Sequence, residues 1–202
     1  MSRKLLSLTA LGAASLMALT ACSGGTASSS QSSTSAAASS SSSAPSSITI
    51  ESDQGNVEIK LPVQRVASLD NRTFEVLEQW NVPLVAAPKK LIPSTVKAYN
   101  TDSVADIGMH RDPNLEALAA SNPDLIISGQ RFTRFDSQIA EMNPGVPMIN
   151  LEPRDGKPLN EELIRQVTDL GEIFGHQEDA KKLVDDFNNA LNRAKKAYDG
   201  KS

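Results

Sequence analysis

The sequence predicts an α/β fold: a mostly parallel β-sheet flanked by helices and followed by a long linking α-helix. Between about residues 65 and 151, short apolar runs alternate with helical stretches. That alternation is typical of parallel strands joined by helices that cover both faces of the sheet. From Gln177 to Asp199, apolar residues recur at spacings of three and four, which indicates one amphipathic helix of 23 residues.

The predicted elements begin with a β-hairpin. Residues 48–50 and 57–59 alternate apolar and polar side chains, with a turn-forming segment between them. Strands of the sheet are predicted at Arg65–Leu69, Leu84–Ala87, Val104–Ile107, Leu125–Ser128 and Pro147–Leu151. Helices are predicted at Arg72–Trp80, Pro93–Tyr99, Asn114–Ala120, Thr133–Met142 and Pro158–Phe174. Residues 48–155 thus form the α/β lobe and residues 156–202 a helical segment.

The first 21 residues have the features of a lipoprotein signal peptide. Two basic residues precede an apolar run, Leu5–Leu19, which suits a signal-peptide core and is short for a membrane span. The run ends in Leu19-Thr20-Ala21-Cys22, which matches the bacterial lipobox, so we expect Cys22 to carry a lipid anchor at the outer side of the cell membrane. Two acyl chains would anchor it stably. The alternative is an ordinary secretory signal in which Cys22, the sole cysteine, is incidental.

Residues 22–47 are predicted to be a flexible tether, since after Cys22 they are almost entirely Ser, Ala, Gly and Thr. Removal of residues 1–21 would leave 18 basic against 24 acidic residues. This acidic balance and the scarcity of aromatic residues argue against nucleic-acid binding. A single cysteine also excludes an internal disulfide framework.

The loops that follow the predicted strands are the expected binding site, because ligands of open α/β sheets bind at the carboxyl ends of the strands. Each of these loops carries a basic residue although the chain is acidic: Asp70–Arg72, Pro88–Lys90, Gly108–Arg111, Gly129–Arg134 and Glu152–Arg154. One Arg about 5 Å from a negative charge is worth about 3 kcal/mol before desolvation, at an effective dielectric near 20. The pattern therefore favours an anionic ligand, with Arg72 as one candidate contact. The alternative is that these side chains are merely solvated.

Signals of catalysis are weak. The two histidines, His110 and His176, are far apart in the predicted topology, and the chain lacks Gly-x-Ser-x-Gly and His-Glu-x-x-His patterns. A metal site built from side chains would need several His or Cys ligands. We expect a protein that is not an enzyme and needs no cofactor, so that any metal arrives already chelated.

Four segments carry a family resemblance: Leu61–Asp70, Asp106-Ile-Gly108, Asp112-Pro-Asn-Leu-Glu116 and Asn122-Pro-Asp-Leu-Ile-Ile-Ser-Gly129. From about Ile48 to the end, their order and spacing resemble the periplasmic siderophore-, haem- and cobalamin-binding proteins of ABC importers. The resemblance is strongest to binders of ferric catecholate siderophores. It implies two α/β lobes joined by one long helix. The sequence stops where the second lobe is expected, so we interpret the chain as the N-terminal lobe plus the interdomain helix.

The resemblance also implies particular site residues. The family's first lobe contributes an Arg just after the strand that ends at Gly129; Gln130 stands at that position, Arg131 follows and Arg134 lies one turn on. The loop with His110 and Arg111 faces ligand in relatives. Glu116 matches a glutamate that relatives dock onto arginines of the membrane permease.

The function that the sequence predicts is capture of a ferric siderophore, of catecholate type, by a monomeric lipid-anchored protein that delivers it to an ABC permease. Capture of haem, cobalamin or another metal chelate remains an alternative within the same fold. A truncated surface protein without a transport role is a second alternative. An exported hydrolase has no supporting constellation of residues.

Overall fold

The computed structural model describes residues 45–199, so the predicted signal peptide, Cys22 and most of the tether lie outside the described residues. Within that range the strands are β1 Ser47–Ser52, β2 Gly55–Lys60, β3 Val66–Ser68, β4 Leu84–Ala87, β5 Ala105–Asp106, β6 Gly108–Met109, β7 Asp112–Pro113, β8 Leu125–Ser128 and β9 Met148–Asn150. The α-helices are α1 Phe74–Gln79, α2 Leu115–Ala120, α3 Asp136–Met142, α4 Leu159–Phe174 and α5 Gln177–Asp199.

The central sheet is parallel throughout and has the strand order β5-β4-β3-β8-β9. The chain starts at the central strand β3, moves outward through β4 to β5, and then returns to the other side of β3 through β8 and β9. The connection after β3 runs toward one edge of the sheet and the connection after β8 toward the other. In open α/β sheets, a crevice for ligand lies at the carboxyl ends of two such strands. This architecture confirms the predicted fold class.

The core lies on both faces of the sheet. On one face, strand residues such as Val66 and Ile127 pack with α1, α4 and the β1–β2 hairpin. On the other face, Ala67 and Ile126 pack with α2 and α3. Neighbouring residues of one strand point to opposite faces, so every buried strand contributes to both layers. The strands are consequently apolar at successive positions, as residues 125–127 of β8 are.

The β1–β2 hairpin is antiparallel, with Ile50 opposite Val57 in the register. It joins the sheet beside β9, where the Asp53 amide donates to the Asn150 carbonyl at 3.0 Å. The Asn150 amide in turn donates to the Ser52 hydroxyl at 2.8 Å. The predicted hairpin is thus confirmed, and its turn lies next to the carboxyl end of the sheet.

The helix predicted at Pro93–Tyr99 is wrong, since this segment is a series of turns. The amides of Lys97 and Ala98 donate to the Glu78 carboxylate at 2.6 and 2.7 Å instead of to helical carbonyls. The predicted helix Thr133–Met142 is shorter than expected, because a 3-10 helix, Gln130–Phe135, comes before α3. The small β6–β7 hairpin was not predicted.

The two C-terminal helices pack against each other as an antiparallel pair. Helix α4 ends at Phe174 and is capped by Gly175, whose φ of 73° lies in the left-handed region that glycine adopts readily. Helix α5 covers the predicted range, and Ala180 near its start is 2% exposed. No helix within residues 45–199 has the length and apolarity needed to cross a bilayer.

Gly171 is the point of closest approach between α4 and α5. A Cβ atom at this position would lie 2.5 Å from the Ala180 Cβ and 3.2 Å from the His176 carbonyl oxygen. Gly171→Ala should therefore lower the free energy of unfolding by about 1–3 kcal/mol, the usual cost of overpacking. An exposed helical position would show the opposite sign, since alanine is the better helix former. Urea denaturation of the two proteins measures the difference.

The control for Gly171→Ala is the double variant Gly171→Ala/Ala180→Gly, which removes the nearest clashing atom. It should recover part of the lost stability. If the single variant were as stable as the parent, the close approach of the two helices would be contradicted.

Candidate functional site

A wholly buried carboxylate, Asp70, lies at the carboxyl end of β3. Its two oxygens accept hydrogen bonds from the Arg72 backbone amide at 3.0 Å and the Arg72 Nη2 at 2.7 Å. The Gln166 side chain on α4 donates to it from 3.3 Å. Gly129, at the end of β8, passes so close that a Cβ there would lie 2.9 Å from the Asp70 Oδ2. The two strand ends on either side of the crevice therefore meet at this carboxylate.

Arg72, a predicted ligand contact, lies between two carboxylates. Its Nη2 is 2.7 Å from Asp70 and 3.1 Å from the Glu152 Oε1 at the carboxyl end of β9. The side chain is 26% exposed, and its charge is balanced within the protein by these two ion pairs. Binding of ligand by Arg72 stays a prediction. A ligand would have to compete with Asp70 and Glu152 for the guanidinium.

Gln130, at the position where the resemblance implies an arginine, is turned toward the end of β3. Its backbone amide donates to the Glu152 carboxylate, and its side-chain amide donates to the Asp70 Oδ1 at 3.1 Å and to the Asn71 side-chain oxygen. Its φ is 53°, in the left-handed region. The sequence did not single out Glu152, and only its position directly after a strand could have indicated it.

The remaining predicted residues form what we call the basic cluster: His110, Arg111, Arg131 and Arg134. His110 and Arg131 line a depression of about 210 Å³ together with Asn71 and Gln130, and its apolar wall is Leu69, Leu91 and Phe132. The His110 ring meets the Phe132 ring edge-on, with centroids 6.4 Å apart. Within residues 45–199, no carboxylate lies within ion-pair distance of the three arginines.

The charge of the basic cluster acts on its own histidine. Partial desolvation, followed by the positive charges of the three arginines, lowers the pKa of the His110 imidazole below its ordinary value. This shift favours the neutral imidazole, and the cluster carries three positive charges on the arginines. Protonation of His110 is favoured only when an anion offsets these charges.

Arg134 holds the turn of the β6–β7 hairpin. Its Nη2 donates to the backbone carbonyls of His110 and, at 3.3 Å, of Arg111. The guanidinium also lies over the Phe135 ring, 4.7 Å from its centroid. The ligand contact expected at Arg134 stays a prediction. The hydrogen bonds of its guanidinium also fix the β6–β7 hairpin beside Arg131.

The basic residue that follows β9, Arg154, is tied to a second buried carboxylate, Glu162 on α4. Arg154 contacts Glu162 with its backbone amide, its Nε and its Nη2, the last at 2.8 Å. Arg165 donates to the same carboxylate from 2.9 Å. These hydrogen bonds, above all those from Arg154, lower the pKa of Glu162 to about 2. The positive charge at this end of the sheet is thus neutralised, unlike that of the basic cluster.

Glu116 lies exposed in the first turn of α2, which the Asn114 side chain caps by accepting a hydrogen bond from the Ala117 amide at 2.8 Å. Its predicted contact with a permease stays a prediction. Within the described part of the chain, no group of three or more His, Cys, Asp or Glu side chains is placed to hold a metal ion.

The chain belongs to the periplasmic binding protein family, whose model matches residues 66–202. It is 33% identical over 139 residues to the ferric-anguibactin-binding protein FatB of Vibrio anguillarum (strain ATCC 68554 / 775), covering 68% of this chain and 43% of FatB. It is 21% identical over 146 residues to the petrobactin-binding protein YclQ of Bacillus subtilis (strain 168), covering 71% of this chain and 45% of YclQ. The chain therefore spans less than half the length of these relatives.

Solved structures share the fold. The siderophore-binding protein BauB, determined with two acinetobactin molecules and ferric iron, superposes with a TM-score of 0.65 at 24% identity, over 73% of this chain and 52% of BauB. The crystal structure of YclQ superposes with a TM-score of 0.66 at 20% identity, over 74% of this chain and 53% of YclQ. At this level of identity the likeness concerns the fold.

A pH-dependent effect on stability follows from Asp169 on α4, which lies 3.5 Å from Arg165 beside the Glu162 ion pairs. Burial raises the pKa of Asp169 to about 6, against the opposing pull of Arg165. A carboxyl whose folded pKa is raised stabilises the protein below its unfolded pKa, and this contribution is lost as the pH rises toward 6. Asp169→Asn should therefore unfold at a temperature about 2–5 °C above that of the parent at pH 7.5. At pH 4.5 the difference should shrink.

The matched control for this measurement is Asp155→Asn, at an exposed aspartate near the end of β9. Its unfolding temperature should differ little from that of the parent at either pH. A gain for Asp169→Asn of the same size at pH 4.5 and pH 7.5 would contradict the assignment of the effect to ionisation of Asp169.

Proposed function

We propose that this chain captures an iron(III) siderophore chelate outside the cytoplasm and delivers it to an ABC permease without chemical change. The observation that supports this most is the basic cluster at the carboxyl end of the sheet of an otherwise acidic protein. The carboxylates within ion-pair reach of Arg72 and Arg154 neutralise those two arginines, whereas Arg111, Arg131 and Arg134 have none in the described range. An anion would meet its favourable field on this side of the crevice.

The chemistry of a ferric catecholate matches this surface. Iron(III) bound by three catecholate groups carries a net charge of 3−, the opposite of the three arginine charges. Arginine offers planar N–H donors to the catecholate oxygens and can also stack on an aromatic ring. His110 and Phe132 add two further ring surfaces beside the depression. A catecholate ligand is therefore the type that we favour.

The relatives support the same class of ligand. FatB is named for binding ferric anguibactin and YclQ for binding petrobactin. BauB was determined with ferric acinetobactin. Because this chain spans less than half the length of FatB and YclQ, capture by the complete protein belongs to this proposal. So do the permease, with Glu116 as a docking residue, and a monomeric state.

The lipid anchor is part of the same proposal. The lipobox that ends at Cys22 and the Ser-rich segment after it would hold the binding lobe at the outer surface of the membrane. Confinement near the membrane keeps a captured ligand close to its permease. A membrane-extracted protein whose Cys22 carries acyl chains, as read by intact mass, would support this arrangement; an unmodified Cys22 would contradict it.

Haem is the second candidate ligand, and His110 is the observation that favours it. The imidazole borders the depression and the lowered pKa keeps it neutral, which is the form that coordinates haem iron. The arginines of the basic cluster would then meet the haem propionates.

Isothermal titration of the full chain with three ligands tests these proposals: iron(III) tris-catecholate, ferric anguibactin and haem. We expect saturable binding of at least one ferric chelate. Arg131→Gln should weaken that binding about tenfold, since one charge-assisted hydrogen bond is worth about 1.5–3 kcal/mol. Binding should also weaken as the salt concentration rises.

The matched control is Arg193→Gln, at an exposed arginine of α5 away from the sheet. It should leave the affinity unchanged. Binding of haem alone, abolished by His110→Ala, would favour the second candidate. Equal losses in Arg131→Gln and Arg193→Gln would contradict a site at the basic cluster.

A further inference from the structure

The loop after β8 adopts a backbone conformation that its sequence does not favour. Gln130 has a φ of 53°, a region that residues with a Cβ atom seldom occupy. Such a conformation persists where surrounding contacts determine it. The contacts that hold Gln130 therefore set the path of the chain into the next residue, Arg131.

Gln130 is held by three hydrogen bonds at the edge of the depression, which it lines together with Asn71. Its backbone amide donates to Glu152, and its side-chain amide donates to Asp70 and Asn71. The side-chain amide is thus bonded to the residues that follow β3. These bonds fix the conformation of Gln130, and a ligand contact at Gln130 stays a prediction.

Glu152 connects Gln130 to the rest of the site. The same oxygen, Oε1, accepts from the Gln130 amide and from the Arg72 Nη2, the latter at 3.1 Å. Its side chain is 28% exposed and comes from the far strand β9. One carboxylate thereby links the loop after β8 to Arg72 and, through Arg72, to the buried Asp70.

We infer that Glu152 is a positioning residue of the anion site: it fixes the left-handed turn at Gln130 and so holds Arg131 at the depression beside His110 before ligand arrives. This inference rests on the proposed function. A loop ordered in advance does not lose its freedom on binding, which strengthens affinity without any new contact to the ligand. Glu152 also balances Arg72, so an incoming anion is drawn to the side of Arg131 and His110.

The first test needs no ligand. Amide hydrogen exchange across residues 129–132 of the full chain reports whether the loop is held. Glu152→Ala should speed exchange at least about tenfold at Gln130 and at Phe132, whose amide donates to the Gly129 carbonyl at 3.2 Å. Glu152→Gln keeps an acceptor oxygen for the Gln130 amide and should retain most of the protection. Asp155→Ala, at the exposed carboxylate three residues on, should leave the loop unchanged.

The second test asks whether Glu152 acts through Arg131. With iron(III) tris-catecholate as the probe, Glu152→Ala and Arg131→Ala should each weaken binding about tenfold. The double variant should bind no more weakly than Arg131→Ala alone, because coupled residues are not additive. A residue that supported only the overall fold would add its loss to that of Arg131→Ala.

The two tests separate this inference from the proposed function. Unchanged exchange in Glu152→Ala would overturn the inference whatever the ligand. Faster exchange with additive losses of affinity would overturn the link to Arg131. If the parent chain bound no ferric chelate, the proposed function would fail. In that case, faster exchange in Glu152→Ala together with protection in Glu152→Gln would still support control of the turn by Glu152.

Discussion

The carboxylate of Asp70 is the interaction on which this end of the molecule depends. It is wholly buried, where an uncompensated charge would be very costly, so the protein surrounds it with donors from Arg72, Gln130 and Gln166. These donors come from the loops after β3 and β8 and from α4. One charge thus gathers three separate elements at the point where the strand order reverses. A ligand surface can be rigid there only because this centre is satisfied.

Much of the fold could be predicted because its signals are local. The apolar runs of the strands and the apolar stripe along α5 depend on residues close in sequence, and the sequence predicts the positions of both. The helix prediction for Pro93–Tyr99 is wrong because the interactions that shape this segment are not local. The carboxylate of Glu78, nearly twenty residues earlier, supplies acceptors for its amides, and the Tyr99 hydroxyl donates to the Val82 carbonyl at 2.8 Å. The sequence of residues 93–99 does not indicate either of these hydrogen-bond partners.

The site was predictable in its location and only partly in its chemistry. Parallel strands place their carboxyl ends at one edge, so the basic loop residues could be assigned to a common surface from the sequence alone. Which of them carry free charge depends on distant partners. Arg72 pairs with the neighbouring Asp70 and also with Glu152, 80 residues away, whereas no carboxylate within residues 45–199 lies in ion-pair reach of Arg131. A basic residue in a loop therefore says little about ligand binding until its counter-ions are known.

The way in which Arg134 holds the β6–β7 turn has a consequence for how such a site can diversify. Its guanidinium grips the carbonyl oxygens of residues 110 and 111, and every amino acid supplies the same oxygen. The side chains at these two positions can consequently be exchanged without loosening the loop that displays them. Natural variation or a mutant library confined to this tip could alter which chelate is accepted while the scaffold beneath stays intact.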